Sequence, residues 1–133
     1  MKILLDTDIL LDIALRRAAF FEDSAVVVAW AESEPGQGAI AWHSLSNIAY
    51  LLRPDARPFI RELLLFTEIP ATGTSAAKQA MDFPMKDLED SLQAAAALRF
   101  GASYIVTRNI GHYKNSPVPA VTPKEFLCAI GKI

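Results

Sequence analysis

Three acids, Asp6, Asp87 and Asp90, are the residues of this chain best placed to do chemistry. Asp6 directly follows the apolar run Ile3-Leu4-Leu5. Asp87-Leu88-Glu89-Asp90 directly precedes the alanine run Ala94-Ala95-Ala96-Ala97. A third polar cluster, Thr107-Arg108-Asn109, follows Tyr104-Ile105-Val106. In an open parallel sheet, ligands bind outside the carboxyl ends of the strands. Asp6 and Asn109 both fall at such ends. Carboxylates that converge there repel one another unless a cation neutralises them, and hard divalent ions such as Mg²⁺ or Mn²⁺ favour oxygen ligands.

Each candidate has a structural role to weigh against a chemical one. A charged residue ending a buried strand must be paired, liganded or solvated. Thr7 or Asp8 can cap the helix that follows, which leaves Asp6 for function. Asp87 and Asp90 are three apart and share a helix face. Asp90 is the expected metal ligand, and Asp87 is either the helix cap or a second ligand. Asn109 offers an oxygen ligand or a hydrogen bond to a metal-held water. Thr107 can orient a carboxylate, and Arg108 can meet a phosphate, with Lys86 as a second basic group. His43 and His112 each lack a metal-binding partner at i+4, so a histidine-based zinc site is not expected. No phosphate-binding glycine loop or serine-nucleophile motif is present.

The elements that must position these groups can be read coarsely. Strands are expected at 2–5, 38–42, 68–70, 104–106 and 119–121. Helices are expected through about Arg16, over 20–34, from Ser44 or Ser46 to Leu52, over 55–67, 74–81 and 87–100, and over 124–130. Gly101 closes the clearest of them. The stretch Ala25-Val26-Val27-Val28-Ala29-Trp30 is apolar nearly all round, so that helix is buried on more than one side or meets a partner. Strands alternating with helices predict βαβ units and a parallel sheet, whose right-handed crossovers bring the strand ends to one edge.

Composition narrows the class. With 133 residues, 52% hydrophobic and 21% charged, the chain reads as one compact domain over 1–133 rather than a disordered segment. A net charge of −2 speaks against a module that holds nucleic acid by charge alone. The lone Cys128 can form no internal disulfide and favours a reduced, cytoplasmic setting. The apolar run after Met1-Lys2 is too short for a signal-peptide core, and none approaches a membrane span.

Taken in order, these motifs resemble those of a PIN domain. Ile3-Leu4-Leu5-Asp6-Thr7-Asp8 is similar to its opening motif, and the run from Asp87 through Asp90 to Ala97 resembles its third. The segment Tyr104 to Tyr113 resembles the fourth, and Pro117 to Leu127 the family's tail. The resemblance implies a three-layer α/β/α sandwich with a mainly parallel five-stranded sheet. It also implies an acidic pocket for Mg²⁺ or Mn²⁺, and often endoribonuclease activity. Small members are commonly VapC-type toxins that dimerise and are held by a cognate antitoxin. Two departures stand out. Asn47 lies where the family has Glu in its second motif, and His112-Tyr113 replaces the usual Asp-Phe of the fourth. Asn47 would then hydrogen-bond a metal water rather than ligate, and fewer acids should weaken metal affinity. The function implied is a metal-dependent endoribonuclease with an RNA substrate. The alternative is a degenerate PIN domain that binds RNA or a protein without cleavage.

Overall fold

In the computed structural model, which describes residues 1–132, the run Ile3–Leu5 becomes the central strand of the sheet. This strand, β1 (Ile3–Leu5), leads into α1 (Thr7–Ala14) and α2 (Phe21–Ser33). Next come β2 (Gly38–Ala39), α3 (Trp42–Leu51) and α4 (Ala56–Leu63). After β3 (Thr67–Glu68) the chain forms α5 (Thr74–Asp82) and α6 (Leu88–Phe100). It closes with β4 (Tyr104–Val106), a 3₁₀ turn (Ile110–Tyr113), β5 (Ala120–Val121) and α7 (Pro123–Ala129).

All neighbouring strands are parallel, in the order β3-β2-β1-β4-β5. The order reverses between β1 and β4, so their carboxyl ends lie side by side at the switch point where such sheets bind ligands. Leu5 pairs with Val106, which brings Asp6 and Thr107 together across about a hundred residues of chain.

Successive strand residues face opposite sides of the sheet. Ile3, Leu5 and Val106 pack with Ile9, Leu10, Val27 and Phe126. Leu4 and Ile105 pack with Ala94, Ala97, Tyr113 and Val118. These two cores make the expected α/β/α sandwich. The apolar stretch of α2 is only partly consumed inside. Val27 is buried and Trp30 meets the Phe126 ring edge-on at 5.0 Å, while Val26 stays exposed. A Cβ at Gly38 would sit 3.1 Å from the Cβ of Ala31, so glycine here sets how closely β2 approaches α2.

Several boundaries differ from expectation for identifiable reasons. The second strand stops at Ala39, and α3 begins at Trp42 rather than at Ser44 or Ser46. Ser44 cannot cap, because its hydroxyl turns inward to Thr7 and Gln93. Thr67 lies in β3, not in a helix; its hydroxyl donates to the Leu63 carbonyl at 2.7 Å and ends α4. The final helix starts at Pro123, one residue earlier, behind a Thr122–Glu125 capping box. Asp6, rather than Thr7 or Asp8, caps α1, with Oδ1 accepting from the Thr7 amide at 2.7 Å. Gly101 takes the left-handed conformation that closes α6, as expected. Among the described residues, no helix is long and apolar enough to cross a membrane.

Candidate active site

At the switch point the carboxyl end of β1 delivers Asp6 into a cleft of about 530 Å³. Its floor and walls come from the starts of α1 and α6, the middle of α3, and the turn after β4. Asp6, Asp8, Asn47, Glu89, Asp90, Asn109 and His112 all line it. A depression of similar volume, about 560 Å³, lies over Leu15, Leu52, Pro58 and Phe59. Chemistry rather than size distinguishes the two, because the carboxylates with perturbed ionisation face the first.

Asp6 is held by three donors. The Thr7 amide donates to Oδ1; the Thr107 hydroxyl at 2.8 Å and the Tyr113 hydroxyl at 3.0 Å donate to Oδ2. Thr107 is thus in direct contact with the Asp6 carboxylate. Tyr113 is buried, and burial first and the Asp6 charge second hold its phenol well above the ordinary range. It serves here as a fixed donor.

Asp8 stands in the first turn of α1. Its Oδ2 accepts from the Asn109 side-chain amide at 2.9 Å and, at 3.4 Å, from the Thr107 hydroxyl and the Arg108 amide. Its Oδ1 is buried with no hydrogen-bond partner. Burial, and then the Asp6 charge, push the Asp8 carboxyl up to about 6.

Asp90 occupies the first turn of α6. Its amide donates to Asp87 Oδ1 at 3.1 Å, so of the two roles open to Asp87 the structure shows the cap. Burial pushes the Asp90 carboxyl up to about 6, with the Asp87 and Asp6 charges adding and His112 opposing. The His112 Nδ1 lies 3.6 Å from Asp90 Oδ2. Across the cleft, the Asn47 amide donates to Glu89 Oε1 at 2.8 Å.

Behind these groups sits a buried polar triangle. Gln93 Nε2 donates to Thr7 Oγ1 at 3.1 Å and to Ser44 Oγ at 2.8 Å, and the two hydroxyls are 2.8 Å apart. It ties α1, α3 and α6 together directly beneath the carboxylates.

Of the residues expected from sequence, the structure brings Asp6, Asn47, Asp90 and Asn109 to the cleft, with Thr107 just behind. Arg108 is not brought there. Its Nε donates to Asp12 at 2.8 Å, and its guanidinium covers the Phe20 ring at 4.0 Å. Lys86 is exposed just before the Asp87 cap. Asp87 does not line the cleft. Sequence reasoning missed Asp8, Glu89 and Tyr113. The acid pair flanking Thr7 was the available signal for Asp8; for Tyr113 it was a hydroxyl added where the motif has a plain phenyl ring.

Apart from the His112 imidazole, the donors facing the cleft are carboxylate and amide oxygens, which suit a hard divalent cation. Asp8 Oδ1 is buried with no hydrogen-bond partner, a carboxylate oxygen left for a cation to satisfy. Among the described residues, no three Asp, Glu, His or Cys side chains converge closely enough to enclose an ion as they stand. The donor chemistry therefore fits such an ion, and holding one requires side-chain adjustment at the rim.

The PIN domain family model matches residues 2–111, ending one residue short of His112. Among solved structures, the fold is similar to a chain of the VapBC2 complex from Rickettsia felis bound to a promoter DNA fragment. That match has a TM-score of 0.70 and 16% identity, over 92% of this chain and 98% of the other. A toxin–antitoxin complex from Klebsiella pneumoniae matches with a TM-score of 0.67 and 21% identity, over 92% and 98%. FitAcB from Neisseria gonorrhoeae matches with a TM-score of 0.59 and 19% identity, over 92% and 98%. At such identities the likeness concerns the fold. No curated protein matches the chain by sequence. Model and fold agree over the segments that build the cleft, and the chain belongs to the PIN domain family.

Proposed function

We propose that this PIN domain is a divalent-metal-dependent endoribonuclease acting as the toxin of a toxin–antitoxin pair. The observation that carries the reading is the pair of under-neutralised carboxylates, Asp8 and Asp90, flanking Asp6 at the sheet's switch point. Asp6, Asp8 and Asp90 would hold Mg²⁺ or Mn²⁺, with the side-chain oxygen of Asn109 beside them. When bound, such an ion offsets charge on the scissile phosphate and acidifies a water.

The chain's own residues do the positioning. Thr107 and Tyr113 fix the Asp6 carboxylate, leaving little rotational freedom at the centre of the site. Asn109 fixes one oxygen of Asp8 and leaves the other free. Asn47 holds Glu89 at the rim. Asp87 takes its place as the cap that orients the first turn of α6. Exposed Lys86 remains a candidate contact for the RNA backbone, while Arg108 is committed elsewhere. A cognate antitoxin and a homodimer belong to this reading. Supporting them are the toxin–antitoxin complexes among the structural neighbours and large exposed apolar side chains such as Trp42 and Leu65.

The test is cleavage of a labelled RNA pool in Mn²⁺ and in chelator, by wild type, Asp6→Asn and Asp90→Asn. Metal-dependent cleavage lost in both folded variants is the expected result. Equal cleavage by all three would sink the site. The second reading, binding without cleavage, is favoured by one observation: the acids of the usual motifs are replaced by Asn47 and His112, each already paired with a cleft carboxylate. A folded wild type that binds RNA but neither binds Mn²⁺ nor cuts would establish it.

A further inference from the structure

We infer that His112 makes this site a mixed nitrogen–oxygen centre, which favours transition ions that accept nitrogen, Co²⁺ most and Mn²⁺ less, over Mg²⁺. This rests on the metal reading above and extends it to which ion the chain prefers. The resemblance to the fourth motif implies an acid at this position, which lies just past the stretch 2–111 matched by the family model. The substitution therefore changes the donor type at the cleft instead of merely deleting a donor.

The geometry supports a ligand role. His112 lines the cleft, and its Nδ1 lies 3.6 Å from Asp90 Oδ2. Two donors on one ion, with bonds of about 2.1 Å, sit roughly 3.0 to 3.5 Å apart. Imidazole and carboxylate are thus already near the spacing that a shared ion requires. The backbone presents the ring: the His112 amide donates to the Asn109 carbonyl at 2.9 Å, closing the 3₁₀ turn. The same short turn therefore carries Asn109, whose side chain fixes Asp8, and His112, whose ring faces Asp90. The ring is largely exposed, so it is free to adjust by rotation.

Donor chemistry then sets the preference. Mg²⁺ keeps oxygen ligands and demands near-ideal octahedral geometry; Mn²⁺ also suits oxygen donors, whereas imidazole favours the later transition ions, and affinity for a given site rises from Mn²⁺ to Co²⁺. The bland account is an exposed ion pair that only offsets the Asp90 charge, worth little in itself. That account predicts similar effects of removing the ring on all divalent ions. A ligand role predicts an effect confined to the ions that accept nitrogen.

The chain has only two histidines, so a nitrogen signal on the metal can be assigned by substitution. The other, His43, lines a separate depression with Ala41, Gly73 and Ala76, although it stands close enough to Glu89 and Asp6 to feel their charges. Full-length wild type, His112→Ala, His112→Asp, His43→Ala and Asp90→Asn would be titrated with Mn²⁺, Co²⁺ and Mg²⁺ by calorimetry. Pulsed electron paramagnetic resonance would be run on the Mn²⁺ forms, with circular dichroism to confirm folding. Expected are an imidazole nitrogen coupling in wild type and His43→Ala, and its loss in His112→Ala. Co²⁺ affinity should fall about tenfold or more in His112→Ala, the scale seen when metal-site groups are removed, and Mn²⁺ affinity by less. Mg²⁺ affinity should change far less, and His112→Asp should move the preference toward Mg²⁺. Binding that Asp90→Asn abolishes, but with no nitrogen coupling and an unchanged Co²⁺/Mg²⁺ ratio in His112→Ala, overturns this inference and leaves the metal reading standing. No Mn²⁺ binding by folded wild type overturns both.

Discussion

Asp8 and Asp12 lie one turn apart on α1, and the chain treats them in opposite ways. Asp12 is fully buried, and its carboxylate accepts from Arg108 Nε at 2.8 Å, Ser24 Oγ at 3.1 Å and Arg17 Nη1 at 3.4 Å. Asp8 receives a neutral amide and two long contacts, and one of its oxygens has no partner. Three consecutive residues after β4 divide the labour. Thr107 donates to Asp6, Arg108 to Asp12 and Asn109 to Asp8. The one cation of the three goes to the carboxylate that holds α1, α2 and the β4 turn together. Only neutral donors go to the two in the cleft. A carboxylate meant for structure is neutralised internally; one meant for an external cation is oriented but left charged.

The largest effect should come from stripping the structural acid of its cation. Arg108→Ala leaves Asp12 buried with only Ser24 and the partly exposed Arg17, and should cost about 2–4 kcal/mol in urea denaturation. Arg108→Lys should recover only part of this, because lysine cannot both bond Asp12 sideways and cover Phe20 with a flat face. A loss under about 0.5 kcal/mol, the size of an ordinary surface substitution, would erase the contrast.

Asp8→Asn should do the reverse and stabilise the metal-free protein. The sign follows from the raised folded value. Asp8 goes from 3.8 to about 6 on folding, so the native state holds the proton more tightly than the unfolded chain. Its contribution is most favourable below about pH 4 and is lost as pH rises through about 6. In chelator at pH 7 the variant should gain roughly 1–2 kcal/mol over wild type, the full shift being discounted for solvent screening. The gain should shrink toward zero near pH 4, while cleavage is lost. Thermal melts at both pH values decide it, and a gain that is flat with pH would remove Asp8 from the under-neutralised class.

Smaller effects sharpen the picture. Tyr113→Phe removes one of three donors to Asp6 and should cost about 1 kcal/mol, with the cleft still able to bind Mn²⁺. Titration of that variant showing total loss of metal binding would assign Tyr113 a larger role than orientation. Asn47→Glu sets a like charge beside Glu89 in place of the 2.8 Å hydrogen bond. It should cost a few tenths of a kcal/mol in chelator. The rise in Tm on adding Mn²⁺ should be larger than in wild type; an equal rise would show that position 47 does not face the ion.

What the sequence disclosed follows the same division. The run Ile3–Leu5, the helix after Asp87 and the Thr107-Arg108-Asn109 turn were legible, because local pattern and topology alone place them at one sheet edge. Asp8 was read as a cap because two acids flank Thr7 and either could reach a free amide. The choice is made by Asn109, a hundred residues away. Arg108 reads as a phosphate contact because nothing near it in the chain shows that Asp12, 96 residues away, claims its guanidinium. An acid inside Leu10-Leu11-Asp12-Ile13 was a signal that a buried partner was needed. Ser44 or Ser46 reads as the start of α3 for want of any local sign that Gln93 claims the Ser44 hydroxyl. Pairings across the fold, rather than element types, are what local reasoning cannot supply.

The buried triangle of Thr7, Ser44 and Gln93 has a kinetic consequence. With the Asp12 hub on its other side, it clamps α1 from both flanks, so the backbone beneath the cleft has little room to move. Adjustment to an arriving ligand then falls to the rim pairs Asn47–Glu89 and Asp90–His112, in which Glu89 and His112 are the exposed partners. Exposed side chains change rotamer in picoseconds to nanoseconds, whereas hinge motions take microseconds or longer. Ion capture at this site should therefore run at the pace set by diffusion and shedding of hydration water, with no slow opening step before it.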